Sequence, residues 1–174
     1  MNMRLLLLFF LIHFSASSQE IMNVKNKQFK ATPFWNFIST NYTLGGEVQV
    51  QLAKTENGGL LKLSVVTTNP KSMIAGTVYV YLSDNSFISC IDKGQFENTE
   101  NSLSSYFNFT AAEMNKLKKH NITSIRFNIK GTSGNFANQI GNFTAINKKS
   151  YYSSRFQNTP NIFETAKEIN NLYQ

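Results

Sequence analysis

Strict alternation of apolar and polar residues over Glu47–Leu52 commits this chain to a sheet with one buried face. In EVQVQLAK, Val48, Val50 and Leu52 point one way and Glu47, Gln49 and Gln51 the other, because successive strand side chains alternate between faces. LLKLSVV repeats the pattern with Leu61, Leu63 and Val65. Between them lies TENGG, whose Gly58 and Gly59 adopt turn conformations at little cost, so the two segments predict a hairpin.

A second hairpin is expected in GTVYVYLSDNSFISCIDKG, residues 76–94. With Asp84 and Asn85 as a two-residue turn, Leu82 faces Phe87, Tyr81 faces Ile88 and Tyr79 faces Cys90. One face then carries Val78, Val80, Leu82, Phe87 and Ile91, and the other Tyr79, Tyr81, Ile88 and Cys90. A strand pair apolar on both faces belongs inside a sheet that something covers on its second side. The next element, TAAEMNKLKKHN, supplies a candidate cover. Thr110 and Glu113 have capping-box spacing, Met114 and Leu117 form a narrow apolar stripe, and Lys118 and Lys119 sit where a helix dipole favours cations.

ITSIRFNIKG alternates Ile125, Phe127 and Ile129 against Arg126, Asn128 and Lys130, a further strand. Thr159 and Pro160 have the order of an N-cap and first helical residue for PNIFETAKEINNLY, with Ile162, Ala166 and Ile169 on one stripe. Sequential strands, one inserted helix at about 110–120 and a C-terminal helix at about 160–172 define an α+β fold. The sheet is expected to be single and antiparallel, with about five or six strands; a small all-β barrel or sandwich is the alternative.

The amino terminus has the three parts of a secretory signal. Arg4 is followed by an apolar run from Leu5 to Phe14, then by Ala16 and Ser18 at small-residue cleavage positions. The run is about half the length of a membrane span, and no later segment reaches about 18 apolar residues. Residues 1–18 are therefore expected to be a signal peptide and 19–174 one globular domain, secreted or periplasmic after cleavage near Ser18/Gln19. The formal charge of +7 falls by one when Arg4 departs. The lysines are scattered and no Arg-rich or RNP-like run occurs, which argues against nucleic acid as a partner. Four Asn-x-Thr sequons, at Asn41, Asn108, Asn121 and Asn142, are no more than 22 asparagines in such a composition would give by chance.

Chemistry-bearing residues are sparse. Cys90 is the sole cysteine, and His120 the one histidine beyond the signal, so a Cys/His zinc site is excluded and no cofactor is implied. Mid-strand, with no base brought near by spacing, Cys90 reads as core filler in place of a nucleophile or a dimer disulfide. Glu97 and Glu100, with Asp92 nearby, could offer oxygen ligands to calcium but lack EF-hand spacing. P-loop, GxSxG and HExxH motifs are absent, and a carboxylate-pair hydrolase is the enzyme reading that stays open.

Aromatic residues remain. Phe34, Trp35 and Phe37 cluster in one irregular stretch, and Tyr151 and Tyr152, followed by Phe156, in another. If exposed, Phe34, Trp35, Phe37, Tyr151 and Tyr152 would stack on sugar faces or on a protein partner; the competing role is to plug the ends of the sheet. The sequence thus points to an exported, soluble, non-catalytic binding protein for a glycan, a cell-surface component or a protein. An envelope-associated structural accessory protein is the alternative.

Overall fold

The hairpin of β4 (Glu47–Thr55) and β5 (Gly58–Val66) forms as the alternation demands, but with Glu56 and Asn57 as the two-residue turn. Gly58 and Gly59, expected in the turn, are instead the first paired residues of β5. A Cβ on Gly58 would lie 2.0 Å from the main-chain oxygen of Phe109, and one on Gly59 would lie 2.2 Å from the Met114 sulfur. The pair is glycine because a neighbouring strand and a helix press on it.

The structure, a computed structural model, describes residues 20–41, 46–91, 94–131, 139–150 and 161–174. Before β4 run β1 (Glu20–Val24), β2 (Lys27–Ala31) and β3 (Trp35–Ser39), the last within the stretch read from sequence as irregular. After β5 come β6 (Met73–Ile74), β7 (Thr77–Leu82), β8 (Phe87–Ile91), β9 (Phe96–Asn98) and β10 (Ser102–Thr110). Helix α1 (Ala111–Leu117), β11 (Ile122–Lys130), β12 (Gly141–Ile146) and helix α2 (Thr165–Asn171) complete the order. The described residues are mostly antiparallel sheet, 55% strand, with two short helices. Nine strands in the order β8-β7-β11-β12-β3-β4-β5-β10-β9 curl into a half-barrel, more than the five or six expected.

Inside the curl, Val48, Val50, Leu52, Leu61, Leu63, Val78, Val80, Phe107 and Phe127 form one continuous core. At that scale, burial contributes about 25 cal/mol for each Å² of apolar surface withdrawn from water. Hairpin β1–β2 is not on the main path. It meets β4 through Ala31 and Ala53 and, with Met22 and Val24, caps a second apolar cluster around Leu60 and Tyr106.

The capping box of α1 is present, with the Thr110 hydroxyl accepting from the Glu113 amide and the Glu113 carboxylate accepting from the Thr110 amide. Met114 and Leu117 are buried, so α1 lies on the inner face of the curl, over Gly59, and it also borders β7–β8, where Glu113 bears on Cys90 and Lys116 donates to the Ser86 hydroxyl at 3.3 Å. Thr159 and Pro160 lie outside the described residues, but residues 161–164 are non-helical and α2 starts at Thr165. The later start has a local cause. Asn147 clamps Phe163 by accepting from its N–H at 2.8 Å and donating to its C=O at 2.9 Å. Asn121 Oδ1 then accepts from the Ala166 amide at 2.9 Å, a helix cap supplied from the far end of α1.

Candidate functional site

The β7–β8 turn decides what faces solvent. The connection is a three-residue loop, Ser83–Asp84–Asn85, closed by Leu82 N–H donating to Ser86 C=O at 2.9 Å. Asn85 takes φ 63°, a conformation asparagine tolerates better than most residues. Asp84 accepts from both the amide and the hydroxyl of Ser86, which hold its carboxyl below the ordinary value of 3.8, with nearby His120 contributing less.

The extra loop residue slips the expected register by one. Val78 now opposes Cys90 and Val80 opposes Ile88, while Tyr79 opposes Ser89 and Tyr81 opposes Phe87. Cys90 is buried, 3% exposed, but among Val78, Val80 and Ile88 in the core, not among the tyrosines. Burial, with the Glu113 charge adding a smaller push, raises its thiol to about 12. A neutral thiol in that position packs and does not attack.

The tyrosines are left on the outer face. There the register lays out a grid across four strands: Phe87, Ser89 and Ile91 on β8 oppose Tyr81, Tyr79 and Thr77 on β7. Tyr81 and Tyr79 in turn oppose Ser124 and Arg126 on β11, and Ser124, Arg126 and Asn128 oppose Ile146, Thr144 and Asn142 on β12. Phe87 touches both tyrosines, edge-on to Tyr79 at 5.9 Å and tilted to Tyr81 at 6.0 Å between centroids. Exposure of Tyr79 is 36%, of Phe87 54% and of Ile91 70%. Single exposed hydrophobes are ordinary, whereas these lie together on one sheet face.

Beside the rings is a depression of about 310 Å³, lined by Thr77, Tyr79, Tyr81, Arg126, Phe127 and Asn142. Arg126 is exposed, and among the described residues no carboxylate lies within 4.0 Å of it. Asn128 donates to the Asn142 side-chain oxygen at 3.2 Å, which orients the two amides side by side. The surface can therefore stack a flat apolar face while offering guanidinium and amide donors alongside it.

The aromatics singled out from sequence divide differently. Trp35 and Phe37 are fully buried, their rings stacked with centroids 6.5 Å apart, and the indole N–H donates to Glu168 at 2.5 Å. Glu168 thus secures α2 to β3 and is not simply helix surface. Phe34 is 43% exposed but stands apart from the β7–β8 rings in sequence and strand order. Tyr151, Tyr152 and Phe156 lie outside the described residues, as does Asp92. Among the carboxylates, Glu97 accepts from the Tyr106 hydroxyl and Glu20 from the Gln51 amide. Among the described residues no group of three or more His, Cys, Asp or Glu side chains could hold a metal ion. Among them, too, no helix is long and apolar enough to cross a membrane.

No protein-family model matches this chain, and comparisons with curated proteins and with solved structures give no significant match.

Proposed function

We propose that this chain is an exported, non-catalytic binding protein whose outer sheet face, centred on Tyr79, Phe87 and Tyr81, holds a neutral glycan chain. The supporting observation is the contiguous exposure of these rings beside Arg126, Asn128 and Asn142. Sugar rings present one apolar face and a rim of hydroxyls, and the grid offers aromatic rings with guanidinium and amide donors alongside them.

Affinity electrophoresis of the full chain against soluble β-glucan, xylan and galactomannan tests the reading. Retardation by at least one polysaccharide is expected, reduced about tenfold in affinity by Tyr79→Ala/Phe87→Ala and unchanged by Phe34→Ala. Polysaccharide chain length should stay constant through the incubation. Absence of retardation by all three, or retardation indifferent to Tyr79 and Phe87, refutes the proposal. Export is tested by intact mass of the protein recovered outside the cell, which should begin at Gln19.

A further inference from the structure

We infer a second binding site, independent of the aromatic grid, for an acidic polysaccharide in the groove between hairpin β1–β2 and the β4–β5 turn. The groove encloses about 820 Å³ and is lined by Lys27, Phe29, Lys30, Lys54, Asn57 and Asn108. It continues past the β1–β2 turn, where Lys25 joins the lining. Glu56 on the β4–β5 turn, and Glu20 near Lys30, are the carboxylates along this course. Glu20 already accepts from the Gln51 amide. Four ammonium groups against two side-chain carboxylates leave the walls cationic. Among the described residues, neither carboxylate comes within 4.0 Å of any of the four lysines.

Two further observations make this a built feature. Tyr173 brings Lys54 to one end of the groove, its ammonium 4.5 Å from the ring centroid, and Lys118 reaches the same ring at 4.2 Å. Lys30 donates to the neighbouring Gln174 main-chain oxygen at 3.3 Å. Lys54 and Lys118 are thus held on one ring, a contact that fixes position without neutralising charge. At the other end Lys25 takes φ 44° in the β1–β2 turn, a conformation where Gly or Asn would be the unstrained choice. A lysine is kept there against its backbone preference.

An open groove with cations along its length suits an extended polyanion. The ammonium groups recognise carboxylate and sulfate alike, so a uronate polymer and a sulfated one share the required chemistry. A membrane surface is flat and a groove would not follow it. Nucleic acid would call for several stacking rings where Phe29 is the one aromatic in the lining.

The test uses the full chain at low salt with polygalacturonate, dextran sulfate, neutral dextran, oligo-dT and phosphatidylglycerol vesicles as probes. Binding to one or both acidic polysaccharides and not to dextran is expected. Lys27→Gln/Lys30→Gln/Lys54→Gln should weaken it about tenfold or more and flatten its salt dependence by about two to three charges. Lys71→Gln/Lys130→Gln/Lys148→Gln, which removes the same charge elsewhere, should change it less than about twofold. Unchanged thermal melting of both variants shows that folding is not the cause. Preference for polygalacturonate assigns a uronate ligand, and preference for dextran sulfate a sulfated one. Equal loss in the two triple variants, tighter binding of oligo-dT or vesicles, or loss caused by Tyr79→Ala/Phe87→Ala overturns the inference.

Discussion

One methyl group added at Gly58 and one added at Gly59 should have very different consequences, though the residues are adjacent on the same strand. At Gly58 the new Cβ meets the Phe109 carbonyl oxygen at 2.0 Å, with main-chain carbons of Phe109 and Thr110 at 3.0 Å. All three are backbone atoms of a paired strand, so relief requires β5 and β10 to separate. Overpacking that a side chain can absorb costs about 1–3 kcal/mol, so Gly58→Ala should cost about 3 kcal/mol or more. At Gly59 the obstacle is the flexible Met114 thioether, 2.2 Å away at its sulfur. Overpacking of about 1–3 kcal/mol is there offset by the gain of about 0.5–1 kcal/mol when a strand glycine becomes alanine. The net cost should be about 0–2 kcal/mol. Urea denaturation followed by circular dichroism reads both. With a slope of about 2 kcal/mol/M, Gly58→Ala should lower the midpoint by about 1.5 M and Gly59→Ala by less than about 1 M. Gly59→Ala with Met114→Ala should cost less than the two changes summed, because the methyl fills space the thioether leaves. A Gly58→Ala midpoint within about 0.3 M of the parent, or a Gly59→Ala midpoint below that of Gly58→Ala, would show that the close strand approach is not what selects glycine.

Cys90 should resist DTNB in the native state and react only on unfolding, with Cys90→Ala costing roughly 1–2 kcal/mol; rapid native labelling would contradict its placement. Because the native thiol ionises near 12 and the unfolded one near 9.0, the unfolded state releases a proton first, so stability should decline as pH rises above about 9. Tyr106, whose phenol is also pushed up by burial and by the Glu97 carboxylate, should steepen that decline, and Tyr106→Phe should lessen it in alkaline urea titrations. Glu168→Ala strands the buried Trp35 N–H and should cost about 1–3 kcal/mol, with Glu168→Gln largely restoring stability. Asn147→Ala, which releases both main-chain groups of Phe163 and the Ile122 carbonyl, should cost about 3 kcal/mol and raise hydrogen exchange in α2 before other elements.

Where a sequence signal is local and periodic, the structure follows it. Alternation over Glu47–Leu52 and Ile125–Ile129 and the Thr110–Glu113 capping box each depend on residues within one turn or strand of each other. Strand β10 is illegible in the sequence because its inward positions include Ser105, which donates to the Ile74 carbonyl, and its outward ones include Ser104, which bonds Ser64 at 2.7 Å. Buried serines satisfied by distant partners erase the polar–apolar contrast that marks a half-buried strand. The candidate surface was obscured by a single residue of loop length. Taking Asp84–Asn85 as the whole turn pairs Tyr79 with Cys90 and Tyr81 with Ile88, whereas one more loop residue shifts β8 so that Cys90 and Ile88 join Val78 and Val80 on the face opposite the tyrosines. Nothing in the order of residues announces that Asn121 and Asn147 hold α2, since both act on segments far along the chain.

The bond between Trp35 and Glu168 joins positions 133 residues apart, and that span has a kinetic meaning. At ribosomal speeds of about 5–20 residues per second, roughly 7 to 27 s separate the synthesis of the two partners. Hairpin β4–β5 needs only its own residues and can pair early. Strand β3 can pair with β4 at once, but its other neighbour, β12, is made a hundred positions later. Throughout that interval one edge of β3 stays open and the indole lacks its acceptor. Such a topology, rich in distant pairings, folds slowly and late, and leaves a long nascent chain dependent on being shielded until its final helix emerges.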